Sequence, residues 1–132
     1  MNLGVVMNLS VKVSEMDFSI FIGQTVTEVV PISLELIRVK FNKGNLNVEC
    51  SWRLRNAKGI LVGISEGKES DVFKILESYL LAKEITNIYH LEPTEDLIIE
   101  FDKELYLDLF ADSTSFEQYQ LYGGDSLFLI GK

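Results

Sequence analysis

Glu100, Asp102 and Asp108 share one parity in the stretch DLIIEFDKELYLDL, residues 96–109. In extended chain, alternation puts Glu100 and Asp102 on the outward side of one strand and Tyr106 and Asp108 on the outward side of the next. Carboxylates gathered in this way can hold a hard cation or divide acid and base roles between them. The loop spacing of a calcium site is missing, however, and no third group converges on them. A solvated face is therefore the first expectation and a protein-docking face the second. Glu100, Asp102, Tyr106 and Asp108 are taken as candidate partner-binding residues. No catalytic, cofactor-binding or metal-binding residue is assigned, and no cofactor is expected.

The other chemistry-bearing residues are sparse. His90 is the single histidine, and nothing beside it in the sequence marks a nucleophile. It is expected to be a surface or half-buried residue at a strand end. Cys50 alternates in phase with Val48 and Trp52, as a small core residue does. One Cys and one His are too few good ligands for zinc. The stretch VGISEGKESDVF has the setting of a phosphate-binding loop, a strand and a glycine loop before a helix. Gly63 and Gly67 stand one residue too close for that motif, and Glu69 replaces the hydroxyl that should follow Lys68. A solvated linker over about 64–70 is expected there.

These residues need elements to position them, and the chain writes its elements twice. TVTEVV, residues 25–30, and EITNIY, residues 84–89, are near copies. Beyond them Ile37, Val39 and Phe41 fall beside Leu97, Ile99 and Phe101. A second hairpin one residue shorter than the first would set Leu46, Val48 and Cys50 beside Leu105, Leu107 and Leu109. Trp52 and Leu54 then meet Tyr119 and Leu121. In IRVKF and LNVECSWRL apolar residues recur every second position, the period of a half-buried strand. Only SDVFKILESYLLAKE breaks the rule, with Val72, Phe73, Leu76, Tyr79 and Leu80 at helical spacing. The expected fold is α+β and β-dominated, with two similar antiparallel meanders and one main helix at about 70–82. The meanders would form a sandwich or a curved, barrel-like sheet. The chain reads as a single domain, 1–132, with an internal repeat over about 18–63 and 72–131. Each half is expected to cover the apolar face of the other.

Composition sets the outer limits. With 47% apolar and 24% charged residues, a folded globular chain is expected. No apolar run approaches the roughly 18 residues of a membrane span, and the start lacks the basic region of a leader, so the cytoplasm is expected. The net charge of −8 is unevenly spread. Residues 1–66 carry seven Lys/Arg against six Asp/Glu, and residues 67–132 carry five against fourteen. That balance argues against nucleic acid and anionic membrane as partners and permits a basic protein. A homodimer through an edge strand in LGVVMNLSVKV, residues 3–13, is also permitted.

The stretches GQTVTEV, LIRVKFNKGNLNV, DLIIEFDKELYLDL and STSFEQYQLYG together resemble small, uncharacterised bacterial β-rich proteins of the toxin-immunity or accessory type. The resemblance covers about residues 18–131, with Tyr119 where tryptophan is more usual and Glu104 in place of a turn glycine. It implies a partner protein and supplies no catalytic residue. The expected function is thus a non-enzymatic protein-binding module, an immunity or inhibitor-type partner of a basic toxin domain. The alternatives are a small-ligand-binding or hydrolytic barrel-like protein and a homo-oligomeric structural protein.

Overall fold

A computed structural model of the chain describes residues 11–33, 36–63, 69–111 and 118–131, leaving aside the side chains of 69–71. The first half contains β1 (Lys12–Val13), β2 (Val26–Pro31), β3 (Ile37–Phe41), β4 (Gly44–Val48), β5 (Ser51–Asn56) and β6 (Gly59–Gly63). After α1 (Glu69–Leu80) come β7 (Ile85–Glu92), β8 (Leu97–Phe101), β9 (Leu105–Phe110), β10 (Tyr119–Gly123) and β11 (Ser126–Gly131). The strands make two antiparallel sheets, ordered β1-β7-β8-β9-β5-β6 and β11-β10-β4-β3-β2. The architecture is α+β and β-dominated. Of the linker expected over 64–70, residues 64–68 lie outside the described residues. Of the expected edge strand over 3–13, only the last residues are described, and Lys12 and Val13 pair with Glu92 and Leu91.

The meanders do not stay whole. Each divides after its third strand, and its last two strands join the other half's sheet. β4 is bordered by β10 through Val48↔Tyr119 and Leu46↔Leu121. β9 is bordered by β5 through Leu109↔Trp52 and Leu107↔Leu54. The apparent single strand LNVECSWRL is therefore two strands separated by Glu49 and Cys50. Its alternation runs on unbroken because Leu46, Val48, Cys50, Trp52 and Leu54 all turn into the same core.

Register repeats from one half to the other. β2 meets β3 as Val29↔Val39, with an irregularity between Val26 and Glu28. β7 meets β8 as Ile88↔Ile99, with an irregularity between Ile85 and Asn87. The following hairpins differ. Asn42 and Lys43 connect Phe41 to its partner Gly44, whereas Asp102, Lys103 and Glu104 connect Phe101 to its partner Leu105. The second connection is longer by one residue, not shorter, so Leu46 corresponds to Leu107 and Val48 to Leu109. Asp102 and Lys103 make this turn without glycine by both adopting positive φ, 52° and 60°.

The inner faces of both sheets meet in one core, in which Leu46, Leu54, Ile99, Leu107 and Leu121 are fully buried. Each such side chain contributes about 1.5–3 kcal/mol by leaving water. α1 packs against β2 and β6 through Val72, Phe73, Leu76 and Leu80. Tyr79, expected on that face, is exposed at its margin. Before β2 a tight turn does the same work: Phe21 N–H donates to the Phe18 carbonyl, and both rings pack on Phe128 of β11. Gly131 is required by sterics, because the buried Tyr119 ring occupies the place its Cβ would take.

Candidate functional site

The outer face of the six-stranded sheet carries the candidate residues. Pairing across β7, β8, β9 and β5 sets Tyr89, Ile98, Asp108 and Arg53 in one row and Asn87, Glu100, Tyr106 and Arg55 in the next. Arg53 and Arg55 lie two apart on β5 and so point to the same side. Two guanidinium groups that close repel unless an anion lies between them, and Asp108 of β9 is that anion. Its Oδ2 accepts from Arg53 Nε and from Arg55 Nε, each at 2.7 Å. These are short, charge-assisted hydrogen bonds.

Aromatic rings complete the arrangement. The Arg53 guanidinium lies 5.2 Å from the Phe110 ring centroid, and that of Arg55 lies 4.6 Å from the Tyr106 ring. Each cation is thereby held at two points, a carboxylate and a π face. The cost falls on Asp108, whose side chain is only 4% exposed and whose Oδ1 has no hydrogen-bond partner among the described residues. An unmet buried acceptor of this kind costs about 1–3 kcal/mol. The sequence put Asp108 on the outward side, which is right for the strand, but expected it to be solvated. It is buried because the two long side chains of β5 fold over it.

The other two acids do not form an open negative surface with Asp108. Glu100 Oε2 accepts the Thr86 hydroxyl at 2.7 Å. Asp102 sits in the hairpin after β8, where Oδ1 accepts the Glu84 N–H at 2.9 Å and Oδ2 lies 3.6 Å from Lys83 Nζ. Tyr106 is brought beside both Glu100 and Arg55 by strand pairing. What the face offers is a fixed cationic pair between aromatic rings, bordered by acids that already have partners. The sequence alone does not mark Arg53 and Arg55 as site residues, since nothing local in β5 shows that β9 is its neighbour.

His90 departs further from expectation. It is 3% exposed, at the end of β7, and both ring nitrogens are engaged. Nδ1 lies 2.9 Å from Ser14 Oγ and Nε2 lies 3.1 Å from Glu95 Oε1. The Ser14 N–H also donates to the His90 carbonyl at 2.7 Å, so backbone and side chain hold the two residues together. A Ser–His–acid constellation, absent from the sequence reading, is thus assembled from the segment after β1, the end of β7 and the β7–β8 turn. Beside it, the Tyr119 hydroxyl donates to the Glu95 carbonyl at 2.7 Å. Burial, and then the neighbouring Glu95 carboxylate, push the Tyr119 phenol well above the ordinary tyrosine range.

Compared with protein-family models, curated proteins and solved structures, the chain matches none. Among the described residues no group of three or more His, Cys, Asp or Glu is placed to hold a metal ion. No helix among them is long and apolar enough to cross a membrane.

Proposed function

We propose that the chain is a protein-binding module that meets its partner through the outer face of the six-stranded sheet. One observation carries this reading: Arg53 and Arg55 are fixed in advance by Asp108 and by the rings of Phe110 and Tyr106. Arginine and tyrosine are the residue types that dominate binding hot spots. Long side chains already held in place lose less entropy on association than free ones. The net charge of −8 favours a basic partner by steering encounters over several ångströms. An inhibitor or immunity-type role toward a basic toxin domain is the form of this reading that the charge supports. Glu100 and Asp102 would then exchange their present contacts with Thr86 and Lys83 for partner cations at the margin of the Arg pair. We place the protein in the cytoplasm, where a lone buried thiol such as Cys50 stays reduced.

The test is capture from cells that make the protein, at low and high salt, with wild type and an Arg55→Ala/Tyr106→Ala double variant. A partner held by wild type, weakened by salt and lost from a double variant that still melts cooperatively is the expected result. Undiminished capture by that variant would refute the assignment of this face.

A further inference from the structure

We propose that Ser14 is a nucleophile activated by His90 and Glu95, and that it takes small activated acyl esters. The hydrogen-bond chemistry leaves one proton arrangement for a neutral imidazole. The Glu95 carboxylate only accepts, so the proton on the ring belongs to Nε2, 3.1 Å away. Nδ1 then carries the lone pair and accepts from the Ser14 hydroxyl at 2.9 Å. This is the state in which a serine is ready to be deprotonated, with the base oriented by an acid.

A buried histidine must satisfy both nitrogens, and many donors and acceptors would serve for that purpose alone. Here the partners are an alcohol on one side and a carboxylate on the other. Their burial is also graded in the useful direction. His90 is enclosed, whereas Ser14 is only half-buried, and its neighbours Val13 and Met16 are exposed apolar residues. Those neighbours give a short acyl chain something to rest on. The N–H of Glu15, next along the chain, takes part in no hydrogen bond among the described residues, and in the proposed reaction it donates to the oxyanion.

In the reaction the Ser14 Oγ–C bond forms as the hydroxyl proton passes to His90 Nδ1. The tetrahedral centre collapses with cleavage of the C–O bond to the leaving group, which takes that proton from His90. Water, deprotonated by the same nitrogen, then hydrolyses the acyl-serine and returns the site to its starting state. With a single backbone donor for the oxyanion, turnover is slow, since one missing donor costs about 10²–10³ in rate.

This site is separate from the Arg53 and Arg55 pair. β1 and β5 are four strands apart in the sheet, about 19 Å at the usual spacing. The experiment treats folded full-length protein with a fluorophosphonate probe, maps the adduct by mass spectrometry, and follows p-nitrophenyl acetate hydrolysis. Wild type, Ser14→Ala, Glu95→Gln and His90→Gln are compared, each with its melting curve. Expected are a single adduct on Ser14, none at that position in Ser14→Ala, and labelling at least tenfold slower in Glu95→Gln. If His90→Gln fails to fold, the partly exposed Glu95 decides the matter. No Ser14 adduct on folded wild type, or equal labelling of Glu95→Gln, would show that the three residues only brace the β7–β8 turn.

Discussion

Thr25 and Glu84 face each other across a lone antiparallel bridge, and the hydrogen bonds around that bridge come in matched pairs. Gly23 N–H donates to the Ile85 carbonyl, and Ala82 N–H donates to that of Val26. Ile85 N–H donates to Gln24, and Val26 N–H donates to Lys83. The Thr25 N–H is received by Asn42 Oδ1 and the Glu84 N–H by Asp102 Oδ1, both at 2.9 Å. Gly23 and Ala82 both have positive φ. An approximate twofold axis therefore runs through this bridge, relating each half's first strand to the other's.

Asn42 and Asp102 hold corresponding places, so an amide oxygen already does in one half what a carboxylate does in the other. Asp102→Asn is expected to change stability by less than about 1 kcal/mol, the worth of its exposed contact with Lys83. Asp102→Ala loses the acceptor and strains a residue at φ 52°, and is expected to cost about 1–3 kcal/mol. Urea melts of the two variants measure the difference.

Removing Asp108 leaves two guanidinium groups side by side without their shared anion. Asp108→Ala is expected to lose about 1–3 kcal/mol, less than for a wholly buried pair because Arg53 and Arg55 are 41% and 31% exposed. Arg53→Ala or Arg55→Ala alone keeps one ion pair and should cost less. A ranking with either arginine variant below Asp108→Ala in urea midpoint would contradict this account.

Tyr119 ties part of the stability to alkaline pH. Its folded-state pKa is raised, so between the ordinary tyrosine value of about 10 and the higher folded value the folded chain holds a proton that the unfolded chain releases. The associated stability is complete below about pH 10 and declines as pH rises above it. Tyr119→Phe gives up the hydrogen bond to Glu95, about 1 kcal/mol at neutral pH. It should also lose stability less steeply than wild type between pH 10 and 11.5, as thermal melts across that range would show.

Gly131→Ala places a methyl group on the Tyr119 ring, deep in the core, and is expected to cost about 1–3 kcal/mol. Gly63→Ala is the control, since its Cβ would meet the Trp52 carbonyl at an ordinary 3.5 Å. Equal melting temperatures for the two variants would mean that Tyr119 shifts freely.

The local order of the chain was readable because its alternation is strong. IRVKF, LIIEF and the helix around Val72–Leu80 all sit where period alone puts them, within a residue or two. Pairing partners were less readable. Nothing in SWRLRN says that it borders LYLDLF rather than GNLNV, and the misplacing of Asp108 follows from that. Asp108 looked solvated until Arg53 and Arg55 were beside it. Alternation alone makes the second hairpin one residue too short, because Asp102 and Lys103 turn the chain without glycine. Ser14 and His90 are 76 positions apart, and the residues around Ser14 have no periodicity to betray a contact.

The exchange of strands between halves decides how this protein must come into being. Neither sheet is finished until segments on opposite sides of α1 find one another, as Val48 finds Tyr119 and Trp52 finds Leu109. A ribosome that has released only the first half has made apolar strands with nowhere to dock. Folding should accordingly be slow and all-or-none, as topologies rich in distant contacts are. Severing the chain between β6 and α1 should yield two fragments that are shapeless apart and restore the native form when mixed.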